Sequence, residues 1–282
     1  MMFAYLTLHG FACFIGLGGN LLLLWLALTK SSRVMRPCSV LLTCKTITNC
    51  FVVFFDAMTL STVRVREDMD VEVEYHGWCT FIEQRVCYIS HISMLTLLNQ
   101  NLIWLIGSYL FRYYIIYVEE PTVSSMLMAS ALLSITSLAQ IIFWIFNPFL
   151  QKFSTILIIT LLVLTSFLII ITYFWIRKYI LKYIKLHESS LTDEVKSLNK
   201  KLIEIIDFQV KMPFLIFTGA ICLGLTHFAE QLEVLKYVVT LPLIYYTISS
   251  SMCYIYYLPA YKNYVANWIS EKSTFSVQMN DQ

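Results

Sequence analysis

The sequence predicts an all-α membrane protein, a seven-transmembrane helix bundle, and three observations carry that reading. Its 282 residues are 58% hydrophobic and only 13% charged, about half the ~25% charged fraction of a soluble domain. The charges cluster between stretches that have none: 1–29, 86–111, 121–151, 153–176, 212–229 and 237–261. Each is near or above the ~20 residues needed to cross the hydrocarbon core. Lysine and arginine also divide unevenly between the connecting segments, as the positive-inside rule requires of a spanning chain.

The first span covers about 2–29. It lacks a basic start, and its apolar run exceeds the 7–15 residues of a signal peptide. The stretch "KSSRVMRP" that follows reads as a stop-transfer flank. The second span, 39–60, has the length but carries Lys45 and Asp56. Lys45 is expected to snorkel its ammonium to the interface, and Asp56 to face either the headgroups or the bundle interior. The third span covers 86–111 and the fourth 124–146, with Asn147-Pro148 signalling a turn into the fifth, 153–176. Spans six and seven cover 210–229 and 237–258, and Pro213 and Pro242 are expected to kink them. Residues 1–270 form this transmembrane domain, and 271–282 a short cytoplasmic tail.

With the N-terminus outside and the C-terminus cytoplasmic, fifteen of the 20 Lys and Arg residues fall on the inner side, satisfying the positive-inside rule. The first outer loop is acidic, with five carboxylates to two arginines. The longest polar piece, 177–211, alternates charge with Leu, Ile and Phe at three- and four-residue spacing. It reads as helical extensions of spans five and six.

Chemistry is sparse. None of the eight cysteines forms a C-x-x-C, and those in spans are expected to pack as small apolar residues. Were Cys79 and Cys87 on one helix, about 12 Å would separate them, too far for a disulfide; pairing requires Cys79 to lie in the loop. The five histidines include no H-E-x-x-H and no histidine pair at i,i+4, so no metal site or other cofactor is expected. His91 and His227 lie in the outer halves of spans three and six, as ligand contacts or as bundle histidines. No nucleophile elbow or Walker loop is present, which argues against an enzyme. The bilayer is the expected surroundings, with no nucleic-acid partner. Asp56 alone offers an acidic group within a span, and no matched pair of helix breaks marks a transport path.

The third span stops at "SYLFRYYIIYVEEPT", where Arg112 is followed by Tyr113 and Tyr114. As an interfacial anchor, Arg112 would snorkel beside an aromatic belt. As a switch, it would pair in one state with a carboxylate of the span-six extension, Glu204 or Asp207, and in another face a cytosolic partner. Physics alone leaves both readings standing.

Four stretches, in order, resemble one family. They are "WCTFIEQRVCYISHISMLTLLNQNLIWLIGSYLFRYYIIYVEEPT" with Cys79, Cys87 and Arg112; Gly19-Asn20 with the first two spans; "LTDEVKSLNKKLIEIIDFQVKMPF" with Lys196 and Pro213; and "YIYYLPAYKNYV" with Pro259. The chain is similar to the nematode serpentine chemoreceptors of class D (Srd).

That resemblance implies a G-protein-coupled chemoreceptor at the plasma membrane of sensory-neuron cilia. Its partners would be an external small-molecule cue and a heterotrimeric G protein. Arg112 would stand where rhodopsin-like receptors carry the arginine of their Asp-Arg-Tyr triplet, although Phe111 replaces the acid. Lys196, Lys200 and Lys201 would meet the G protein, while Tyr88, His91, Phe228 and Tyr245 would line the ligand site. Asn20, Asp56, Cys79, Cys87, Pro213, Pro242 and Pro259 read as structural. The family has a substantial outer loop between spans four and five, whereas only a tight turn stands here. A channel or transporter subunit, and a non-signalling remnant of a receptor, are the rival readings.

Overall fold

A computed structural model describes residues 2–31, 36–65, 71–117, 122–147, 151–186, 201, 203–205, 207–228, 237, 239 and 241–268. The helices are α1 (Met2–Thr29), α2 (Arg36–Thr59), α3 (Gln84–Tyr117), α4 (Val123–Phe146), α5 (Gln151–Leu186), α6 (Met212–Phe228) and α7 (Leu241–Tyr257). Among the described residues, six segments are long and apolar enough to cross a membrane, the sixth running from Ile203 to Thr226. The 17 residues of α7 rise about 26 Å and pack beside α1, α2 and α6.

The helices sort by polarity inside out. In α3, 78% of the membrane-crossing window is buried, although it is the least apolar of the six; in α4 only 17% is buried. Lipid already solvates apolar side chains, so burial there serves packing and polar satisfaction rather than escape from water. Leu132, Ile135 and Leu138 of α4 and Phe167, Leu168 and Phe174 of α5 are all exposed, as a lipid-facing belt requires. The core gathers Ile92, Leu95, Leu98 and Leu102 of α3 with Leu162 and Ile169 of α5, Ile216 of α6 and Tyr246 of α7. Small residues set the α1–α7 contact. A Cβ on Gly16 would lie 3.1 Å from Ile248, and one on Gly19 would lie 3.2 Å from Met252 and from Ser251.

Asn20 is fully buried and donates through Nδ2 to the Gly16 carbonyl at 2.7 Å. Asp56 turns into the bundle rather than to the headgroups, 8% exposed. Lys45 corrects the snorkelling expectation: it is 2% exposed, its Nζ 5.2 Å from the ring centroid of Tyr254 on α7. An aromatic face offers a desolvated ammonium its quadrupole, so the cation stays inside.

The prolines also differ from expectation. Pro213 and Pro242 each occupy the second residue of a helix, α6 and α7, and Pro259 opens a helical stretch at 259–268. Proline has no N–H to lose in a first turn, and its fixed φ suits one. They restart helices rather than bend them. In span six the break is at Val210 and Lys211, which form a turn closed by Lys211 N–H donating to the Phe208 carbonyl at 3.1 Å.

Between α2 and α3 lies an element the all-helical reading lacks, an antiparallel hairpin of β1 (Thr62–Val65) and β2 (Val71–Glu74). Val63 pairs with Val73 and Val65 with Val71, while Thr62 faces Glu74 and Arg64 faces Glu72. The period-two alternation V-R-V and V-E-V-E is the sequence signal for such a ribbon. Its apolar face packs Val63 on Leu223 of α6 and on Val239.

Candidate functional site

The hairpin closes one end of the bundle over a cavity of about 40 Å³, room for roughly three waters at ~10–15 Å³ each or a small ligand. Its floor and walls come from Met94 and Leu95 of α3, Ile159 and Leu162 of α5, and Ile216, Gly219, Ala220 and Leu223 of α6. Val63 and Val239 form the roof. The polar side chains lining it are those of Ser61 and His91, whose Oγ and Nδ1 lie 3.3 Å apart. An apolar space with a few convergent polar groups is the usual form of a small-molecule site.

Outside the hairpin's other edge is a larger groove of about 810 Å³, walled by Val71, Val73 and Tyr75, by Tyr88 of α3, and by Trp144 of α4 and Thr155 of α5. Tyr75 stands between the two spaces, its ring 5.9 Å from that of His91. Burial pushes the Tyr75 phenol well above its ordinary range, so it presents a neutral hydroxyl.

Three devices fix the lid. Cys79 lies on a 3-10 turn, Trp78–Phe81, ahead of α3, and forms a disulfide with Cys87, Cα atoms 5.0 Å apart. The loop placement that pairing demands is therefore met. His76 N–H and Gly77 N–H both donate to the Thr59 carbonyl, at 3.1 and 2.9 Å. Any Cβ at Gly77 would sit 2.2 Å from the Met58 carbonyl oxygen, so only glycine fits there. At the head of β1, Leu60 takes φ 40° and its N–H donates to the Asp56 carbonyl at 2.8 Å. This left-handed residue ends α2 and turns the chain into the lid.

The sequence-derived ligand contacts are not gathered in one place. His91 lines the cavity, whereas Tyr88 lines the groove and bonds Ser154 Oγ at 3.2 Å. Tyr245 is 58% exposed and lines neither space. The side chains of Phe228 and His227 fall outside the described residues. Ser61, Gly219 and Ala220 were missed, because nothing in their local sequence marks them before the helices are docked.

The opposite end carries the basic residues. Tyr113 packs on Trp175 and Tyr179 of α5, centroids 5.7 and 6.1 Å apart, and Tyr114 is exposed. The side chain of Arg112, and Lys196 and Lys200 entirely, lie outside the described residues. The two carboxylates named as candidate partners of Arg112 each hold another partner among the described residues. Asp207 accepts from Arg177 Nε at 3.0 Å and Nη2 at 3.3 Å, and from the Tyr173 hydroxyl at 2.7 Å. Glu204 pairs with Lys201 at 3.0 Å. An α5 arginine with a planar two-pronged donor set thus grips one of the two candidate carboxylates.

The sequence model for "Serpentine type 7TM GPCR chemoreceptor Srd" matches residues 5–151 and 147–267. The two matches meet at the α4–α5 connection, where the family's longer loop is expected. Caenorhabditis elegans serpentine receptor class delta-26 is 33% identical over 93% of this chain and 89% of its own length. Class delta-30 is 31% identical over 93% and 87%, and class delta-31 is 30% identical over 98% and 94%. The chain belongs to the Srd family of serpentine seven-transmembrane chemoreceptors, a family of receptors rather than enzymes.

Proposed function

We propose that this chain is a chemosensory receptor of the plasma membrane, placed in sensory-neuron cilia. It binds a small, mainly apolar external molecule beneath the hairpin and activates a heterotrimeric G protein at the basic end. The single observation that carries the reading is the lidded apolar cavity where α3, α5 and α6 converge, with Ser61 and His91 as its polar pair. The N-terminus is then outside and the basic end cytoplasmic, in keeping with the Lys and Arg distribution. The groove beside Tyr88 is the approach route.

The break at Val210–Lys211 supplies the transmission. A ligand against Ile216, Gly219 and Ala220 displaces the upper part of span six, and the 201–209 segment below the break answers as a lever. Its movement opens the Arg177–Asp207 clasp and uncovers the surface that Lys196, Lys200, Lys201 and Arg112 offer to the G protein. A ligand shifts such an equilibrium only through its differential affinity for the two states, and the cavity changes shape with α6.

The test is a cell line expressing the receptor, challenged with a panel of small apolar molecules that carry one hydrogen-bonding group. Surface level and second messenger are read in parallel. His91→Leu is expected to lose the response at unchanged surface level, and Arg112→Ala to lose G-protein output while still binding the cue. Full signalling from both variants, or a wild-type chain that never reaches the surface, overturns the reading.

A further inference from the structure

Span one and span two meet at a cluster that neither the ligand cavity nor the coupling end uses. His9 Nε2 lies 3.0 Å from Asp56 Oδ2, and Cys13 Sγ lies 3.5 Å from the same oxygen. The three ligand-capable atoms all fall within 4.8 Å of one another. His9 is fully buried, Cys13 is 4% exposed, and the Asp56 side chain is 11% exposed. His9 and Cys13 are one turn apart on α1, so they share a face; Asp56 comes from the facing turn of α2. A search for histidine pairs misses this set because its i,i+4 partner is a cysteine and its third member is 43 residues on.

We propose that His9, Cys13 and Asp56 form a binding site for a divalent transition-metal ion of the zinc class, bridging α1 and α2. Zinc takes imidazole nitrogen, thiolate sulfur and carboxylate oxygen, and three-ligand sites keep a fourth position for water. Tetrahedral bonds of ~2.0 Å to N and O and ~2.3 Å to S set donor atoms roughly 3.3–3.6 Å apart. The 3.0 and 3.5 Å separations lie a small rotamer adjustment from that geometry.

The hydrogen bonds around His9 prepare the ligand. The Tyr5 hydroxyl donates to the Ser61 carbonyl, 3.2 Å away, which can only accept. The network therefore has Tyr5 accept from His9 Nδ1–H, at 2.8 Å. That puts one ring proton on Nδ1, so the proton shared by Nε2 and Asp56 Oδ2 is the one a metal ion replaces, leaving the outer-shell arrangement of metal-bound histidines. Charge also closes. The ion displaces two protons to solvent, the Cys13 thiol proton and the one shared by His9 Nε2 and Asp56, and one thiolate and one carboxylate then balance its two positive charges, leaving a neutral site at membrane depth. The same network continues to the cavity, because Ser61 Oγ is 3.3 Å from His91 Nδ1. An ion here both staples α1 to α2 and bears on the lid.

The test loads the purified full-length receptor with cobalt(II), then with zinc(II). The expected result is one ion per chain and a thiolate-to-cobalt charge-transfer band that Cys13→Ser abolishes while thermal unfolding stays cooperative. In the unsubstituted protein, zinc is expected to slow Cys13 alkylation at least tenfold, read by peptide mass mapping against Cys222, so the test holds even if a variant misfolds. No band and unprotected Cys13, the behaviour of a histidine–carboxylate pair sharing only a proton, overturns the site. Metal uptake that survives both Cys13→Ser and Asp56→Asn overturns it as well.

Discussion

The two ends of the bundle are held together by different physics. At the hairpin end the lid is fastened covalently by Cys79–Cys87 and sterically by Gly77, which is pressed on the Met58 carbonyl. At the basic end the described tie between α5 and the span-six lead-in is Asp207 with Arg177 and Tyr173, and both charged side chains there are more than a third exposed. A solvated ion pair contributes ~0–1 kcal/mol, whereas a short disulfide loop is worth about 2–3 kcal/mol. A bundle built this way keeps its hairpin end fixed and leaves its basic end easy to shift.

The largest expected effect comes from breaking the strong end. Reducing the disulfide, or replacing Cys79 and Cys87 with alanine, should cost about 2–3 kcal/mol, read as a lower unfolding midpoint of the detergent-solubilised receptor. Gly77→Ala should cost about 1–3 kcal/mol through overlap with Met58, and the loss should track release of the hairpin in hydrogen exchange of the lid amides. Leu60→Gly should move stability the other way by up to about 1 kcal/mol, because glycine adopts the left-handed conformation without strain. Arg177→Gln should change stability least, by under ~1 kcal/mol, yet raise ligand-free G-protein output. A stability loss there as large as that of the disulfide would erase the difference between the ends.

The helices were legible because span length and charge gaps report directly on the bilayer. The reading of Pro213 and Pro242 as kinks failed because sequence shows where proline sits, not whether the preceding turn continues. The hairpin was legible in principle, in the alternating valines of 62–65 and 71–74, but an acidic loop masks that period. His91 could be found as a polar residue in an apolar run. Ser61, Gly219 and Ala220 could not, since a cavity wall is made by docking α6 and β1 against α3. Arg177 as a partner of Asp207 was missed for the same reason, since only the packing of α5 against span six brings it to the carboxylate.

The central claim is that the cue occupies the space beneath the hairpin against α6, and Ala220→Phe tests it most directly. A phenyl ring at this wall position fills most of a cavity of about 40 Å³, while Leu168→Phe on the exposed face of α5 is the matched control. Dose–response curves at equal surface expression should show the cue's potency falling at least tenfold for Ala220→Phe and unchanged for Leu168→Phe. Undiminished potency in Ala220→Phe would contradict the account and place the cue elsewhere.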